Sequence, residues 1–99
     1  MGYELSRAAV EDILAAYAYG MAQFGVRQAE DYQAGLSRLL LLIGEHPEMG
    51  RVRPEFRPLV RMLGYRRHVI VYTRRPDGNV FVLRLLHGRQ DIERLLADL

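Results

Sequence analysis

The side chains best suited to chemistry lie in one stretch, "GYRRHVIVYTRRPDGNVFVLRLLHGRQD", residues 64–91. Arg66, Arg67, Arg74, Arg75, Arg84 and Arg89 alternate with apolar runs, and His87 stands where the second run ends. A guanidinium presents a planar donor fork that matches phosphate or carboxylate. An imidazole, with an ordinary pKa of about 6.5, can give or take a proton near neutrality. The group fits an active site, a site for an anionic partner, or a solvated sheet edge. His46, His68 and His87 have no metal-ligand spacing, and the chain has no cysteine for a thiolate site or a disulfide. No metal and no cofactor is expected.

All fourteen basic residues are arginine, and the net charge is only +2. That balance is too small to demonstrate nucleic-acid binding by itself. Its distribution says more, because eleven of the arginines fall between Arg51 and Arg94, against Glu55, Asp77, Asp91 and Glu93. At 99 residues the chain is expected to form one domain, residues 1–99. Charges at Glu4, Arg7, Glu11 and Asp12 interrupt any signal-like start, and "LLLLI" is far too short to span a bilayer. A cytoplasmic protein with no membrane partner is expected.

The elements that would carry these residues follow from periodicity. Residues 2–5 read as a strand, with Ser6 as a helix N-cap lacking the acidic partner of a capping box. Val10, Ile13, Leu14, Tyr17, Met21 and Phe24 recur every three or four residues, predicting a helix over 7–24 that buries this stripe. Gly25 offers a stop. A second helix over 27–44 carries Ala29, Tyr32, Leu36, Leu39, Leu40 and Ile43. "GEHPEMGRVRPEFRP" reads as a loop. Strands are expected over 57–63, 66–74 and 79–87, the last two joined by a turn of Pro76, Asp77 and Gly78. Asp91 could cap a short final helix with Ile92, Leu95 and Leu96.

The fold class is therefore α+β, with an N-terminal strand, an antiparallel helical hairpin, a three-stranded antiparallel meander completing the sheet, and a short C-terminal helix. Period two assigns Phe81, Leu83 and Leu85 to the core, under the helices. Val80, Val82, Arg84 and Leu86 then share the other face, an apolar groove awaiting a partner.

The residues also resemble a known family. "YELSRAAVEDIL" (Tyr3, Leu5, Ser6, Ala9, Asp12), "FGVRQAEDYQAGL" (Gly25, Gln28, Ala29, Tyr32, Leu36), "HPEMGR" (Pro47, Gly50), "RRHVIVY" (His68, Tyr72) and "LLHGRQD" (His87, Gly88, Arg89, Asp91) occur in an order similar to ParE-type toxins. These belong to the RelE/ParE toxin–antitoxin superfamily, known also as plasmid stabilisation proteins. The resemblance implies a type II toxin that inhibits DNA gyrase, alone or with its bound DNA, and blocks replication. It implies a hetero-oligomer with a ParD-like antitoxin, and operator DNA bound only through that antitoxin. Another branch of the superfamily cleaves messenger RNA on the ribosome, and a third role would be a non-toxic corepressor. Ribonuclease members typically place an arginine three residues before the strand tyrosine. Here that position is Val69, and the lysine pair some of them use is absent. The reading leans away from an enzyme, with no catalytic residue assigned.

Arg84, His87 and Arg89 are the candidate target-recognition residues. Val80, Val82, Arg84, Leu86, Leu41 and Leu42 are the candidate antitoxin surface, the last two because they lie off the main helical stripe. Each has a plain alternative: an intrachain salt bridge for Arg84, a backbone bond for His87, an overfull core helix for the leucines. His68 is expected to be structural, bonded to Asp91 or a carbonyl. Arg74 and Arg75 are expected to be solvated, as is the loop cluster Arg51, Arg53 and Arg57 unless it grips an acidic partner. Tyr17, Tyr32 and Tyr72 read as packing residues.

Overall fold

Ser6 opens the first helix as expected: its hydroxyl accepts the Ala9 N–H at 2.9 Å and donates to the Leu83 carbonyl at 2.8 Å. One side chain thus caps the helix and ties it to the sheet. The computed structural model describes residues 2–57 and 59–97, apart from the side chains of residues 89, 90, 96 and 97. Its elements are β1 (Tyr3–Leu5), α1 (Arg7–Phe24), α2 (Val26–Glu45), a 3₁₀ turn (Pro47–Met49), β2 (Arg51–Arg53), β3 (Val60–Tyr65), β4 (His68–Arg74), β5 (Val80–His87) and α3 (Gly88–Ala97). Gly25, at φ 94°, separates the two long helices and hands its N–H to Met21. The five strands run in the order β1-β5-β4-β3-β2. β1 lies parallel to β5, and every other pairing is antiparallel.

This is the α+β architecture expected, with one strand more. β2 falls in the stretch read as loop, where its three residues pair with β3. The turn of Pro76, Asp77 and Gly78 forms as anticipated, with Gly78 at φ 89° and Asp77 accepting the Asn79 N–H.

Two apolar clusters lie on opposite faces of the sheet. Ala9, Ile13, Leu36, Leu40 and Ile43 pack with Ile70, Tyr72, Val80, Val82 and Leu85 on the helix side. Phe56, Val60, Met62, Val71 and Leu86 pack on the far side, joined by Val69, Leu83, Ile92 and Leu95. The far face is therefore no open groove, because the Phe56 loop and α3 cover it. α3 is too short to be stable alone, so Ile92 and Leu95 must supply its docking.

The assignment of β5 to faces changes for a local reason. The register slips between Val71 and Tyr72, so that Arg84 faces Val71 and Val82 faces Tyr72. Leu83 is the extra residue of a β-bulge, which re-aims everything after it. Val80 and Val82 are wholly buried under the helices, Leu83 faces away with Phe81, and Leu85 returns to the helix side. In α1 the buried residues are Ala9 and Ile13, while Val10, Leu14, Met21 and Phe24 of the supposed core stripe are exposed. Small residues let α1 approach the sheet closely, and the larger apolar ones were left outside.

Tyr72 fixes the loop after α2. Its buried hydroxyl donates to the Pro47 carbonyl at 2.6 Å and accepts the Gly50 N–H at 2.7 Å. A methyl group at Gly50 would collide with the Tyr72 ring.

Candidate functional site

A cleft of about 630 Å³ opens at one end of the sheet, between α1, the start of α2, the β3–β4 turn and the end of β5. Tyr65 and His68 close the β3–β4 hairpin as a cross-strand pair, leaving Arg66 and Arg67 as its two-residue turn. Arg66 takes φ 53°, a left-handed conformation that costs a residue with a side chain and suits glycine. Its guanidinium lies 5.7 Å from the Tyr32 ring centre and 5.4 Å from that of Tyr65. The Tyr65 hydroxyl donates to the Tyr32 carbonyl at 2.8 Å and so ties the turn to α2.

The Tyr32 hydroxyl meets His68 Nδ1 at 2.8 Å, and the His68 and His87 rings lie against each other with centres 5.0 Å apart, tilted by 58°. The two histidines stand directly opposite each other on β4 and β5. Burial, with the neighbouring Tyr65, pushes the Tyr32 phenol up to about 12, partly offset by the Arg66 charge. Burial also lowers His68, and the nearby His87 adds to this while Asp12 and Asp91 oppose it. At neutral pH the centre of the cluster is therefore an uncharged imidazole beside a protonated phenol.

Asp12 organises the neighbouring wall. Its carboxylate accepts from Arg84 Nε at 2.7 Å, Arg84 Nη2 at 3.1 Å and the Leu85 backbone N–H at 3.0 Å. β1 pairs with β5 only from Val80 to Val82, so Asp12 continues that strand's hydrogen bonding beyond the end of β1. The bond to Asp12 raises Arg84 above its ordinary value and keeps it charged.

Of the three target-recognition candidates, the structure brings Arg84 and His87 to this cleft. Arg84 projects toward Asp12 on α1 and not from an apolar far face, because the bulge turns it; the intrachain ion pair is its observed state. His87 is exposed, and its backbone N–H donates to Asp91 at 3.0 Å. The side chain of Arg89 lies outside the described residues. Of the antitoxin candidates, Leu41 and Leu42 are exposed, whereas Val80, Val82 and Leu86 are buried by this chain's own elements.

Other expectations shift as well. His68 is structural, but its partner is a tyrosine hydroxyl. Arg75 is not merely solvated: it pairs with Glu4 at 3.0 Å and covers the Phe81 ring at 4.1 Å, fastening β1 to the hairpin. Arg53 pairs with Glu55, and Arg57 donates to the carbonyls of Pro54 and Phe56, so both serve the loop itself. α3 starts at Gly88, with Asp91 in its first turn reaching back to His87. Tyr32 and Arg66 were not recognised as site residues. The expected strands ran over 57–63 and 66–74, which put both arginines inside the second; carrying the first to Tyr65 and starting the second at His68 exposes the arginine pair as a tight turn.

The comparisons with known proteins agree with this architecture. The family described as "ParE toxin of type II toxin-antitoxin system, parDE" matches residues 3–92. The chain belongs to the ParE toxin family. It is 35% identical over 74 residues to Toxin ParE1 of Mycobacterium tuberculosis, covering 75% of this chain and 76% of that protein. It is 35% identical over 85 residues to Toxin ParE1 of Caulobacter vibrioides, covering 86% of each. Its fold is similar to that in a structure titled "Chromosomal ParDE TA system from P. aeruginosa", with TM-score 0.76, 19% identity, and coverage of 90% of this chain and 97% of that one. The ParE likeness spans both helices of the hairpin and all five strands.

Proposed function

We propose that this ParE-family chain is a cytoplasmic toxin that poisons DNA gyrase, blocks replication, and is held inactive by a ParD-like antitoxin. The observation that carries the reading is the family match across residues 3–92, supported by two relatives named Toxin ParE1 from distant bacteria. Local chemistry agrees. Val69, where ribonuclease relatives place a cation, packs into the apolar far-side cluster.

The antitoxin would bind the outer face of the helical hairpin. Leu14, Leu41 and Leu42 are exposed there, and a shallow groove between α1 and α2 is lined by Ile13, Leu14, Tyr17 and Gln33. Gln33 Oε1 is buried without a hydrogen-bond partner, and a donor from the antitoxin would satisfy it. An amphipathic helix laid into such a groove is a common mode of recognition. The P. aeruginosa structure that shares the fold is titled as a ParDE system, in keeping with a ParD-type partner.

One observation favours a second reading. Two histidines in contact, beside a tyrosine and arginines, are groups a ribonuclease could use for proton transfer and charge stabilisation. Expression in bacteria without antitoxin separates the two. Filamentation with an induced DNA-damage response is the expected result, reversed by co-expression of the adjacent-gene product. Immediate translation arrest with cleaved transcripts would replace the gyrase reading by the nuclease one. His87→Gln sharpens the test, because loss of a proton-transfer group costs about 100-fold or more, whereas a recognition role leaves most activity.

A further inference from the structure

Three features of the cleft are not explained by holding the fold together. Arg66 occupies a left-handed position where glycine would sit without strain. A strained residue that persists at a cleft mouth points to use of its side chain. The Arg66 guanidinium lies 5.7 Å from the Tyr32 ring centre and 5.4 Å from that of Tyr65, and its N–H donors make no hydrogen bond among the described residues. Finally, neither Arg66 nor Arg67 forms an ion pair among the described residues, while the cleft's own acids are engaged. Asp12 is held by Arg84 and the Leu85 N–H, and Asp91 by the His87 N–H. The mouth therefore carries two uncompensated cations.

Part of the cleft lining is aromatic. Tyr17, Tyr19 and Phe24 of α1 line the cleft, and Tyr19 and Phe24 are more than half exposed. Apolar rings and a pair of guanidinium forks lining one cleft suit a ligand with a planar ring at one end and a phosphate at the other. The volume suits one such unit, since small-ligand sites span about 300–1,000 Å³. A carboxylate side chain would use the forks but not the rings.

We propose that this cleft binds one nucleotide unit, its phosphate on Arg66 and Arg67 and its base against the aromatic wall of α1. The unit can come from a free nucleotide or from a single strand. The inference does not depend on which target the toxin attacks.

The test is calorimetric titration of the folded chain at low salt with three probes: deoxyadenosine monophosphate, a single-stranded pentadeoxyadenylate, and inorganic phosphate. At least one adenine probe is expected to bind in the micromolar to sub-millimolar range. Phosphate alone should bind about tenfold or more weakly, because stacking is lost. Binding of the mononucleotide alone assigns a free nucleotide; binding of the oligomer alone assigns a strand. Arg66→Gly is the decisive variant. It relieves the backbone strain while removing the fork, so its thermal midpoint should rise while nucleotide affinity falls about tenfold. Arg67→Ala and Phe24→Ala, both at exposed positions, should also weaken binding in a chain whose circular dichroism is unchanged. Failure of both adenine probes to bind at millimolar concentration would overturn the proposal. So would affinity that survives Arg66→Gly and Arg67→Ala, or a glutamate-rich peptide binding equally well through the same arginines.

Discussion

Replacing Asp12 by alanine should destabilise the fold far more than replacing its partner Arg84. The carboxylate serves both a side chain and the backbone. In Asp12→Ala the Leu85 N–H is left without an acceptor in a buried stretch of β5, at a cost of about 1–3 kcal/mol. The ion pair adds less. Arg84 is 39% exposed, so water screens it, and such a pair is worth about 0.5–1 kcal/mol. Asp12→Ala should therefore lose about 2–4 kcal/mol in all. A chain of this length has a total stability of about 5–15 kcal/mol. Arg84→Ala keeps the Leu85 bond and should lose only about 1 kcal/mol. Asp12→Asn retains an acceptor for Leu85 and should lie between the two. Urea denaturation followed by circular dichroism reads the difference. With a slope of about 1–3 kcal/mol/M, a loss near 3 kcal/mol moves the midpoint by about 1–3 M. Equal losses in Asp12→Ala and Arg84→Ala, or an Asp12→Asn as unstable as the alanine, would refute the backbone-capping argument. The same asymmetry makes Arg84→Ala a usable probe of toxicity, because it should remain folded.

Tyr72→Phe should lose about 2–4 kcal/mol in the same denaturation, since the Pro47 carbonyl and the Gly50 N–H both lose their buried partner; an unchanged midpoint would mean that the loop is held otherwise. Burial and His87 depress His68 in the folded state, so the unfolded chain takes up its proton first as pH falls. That contribution is complete above the ordinary imidazole pKa of about 6.5 and is lost below it. His68→Gln should flatten the decline of stability on the acid side of that value, and a parallel pH profile for the variant would contradict the assignment. Leu41→Asp with Leu42→Asp should leave the thermal midpoint nearly unchanged, both side chains being exposed, yet abolish co-purification with the cognate antitoxin. Retained co-purification would move the antitoxin surface elsewhere.

Local signals carried much of the fold. Ser6, Gly25 and the Pro76–Gly78 turn each act within a few residues, and each appears where its chemistry places it. The stripe of α2 was legible because Ala29, Leu36, Leu40 and Ile43 recur at helical spacing, and all four are buried. α1 is apolar on several sides, so periodicity alone could not say that Ala9 and Ile13 face the sheet while Leu14 and Phe24 face outward. The far-side groove failed for a different reason. The Phe56 loop and α3 cover that face, and the bulge at Leu83, visible only from the partner strand, breaks the alternation that put Val80 and Val82 on the same side as Leu86. The candidate site was half legible. His87 and Arg84 were singled out from their positions on β5 and both line the cleft, though Arg84 was expected on the opposite face. Tyr32 and Asp12 join them only through contacts 36 and 72 residues apart in sequence, which no local pattern reports, whereas Arg66 needed only the tight turn between Tyr65 and His68 to be seen.

The central claim is that the toxin acts on gyrase, and purified components test it most directly. Plasmid DNA, gyrase and the purified chain are incubated together, and the cleaved DNA is released by detergent and protease. The account predicts linear DNA that accumulates with toxin concentration and disappears when the cognate antitoxin is added. Unchanged gyrase cleavage by a folded chain that arrests growth in cells would contradict it.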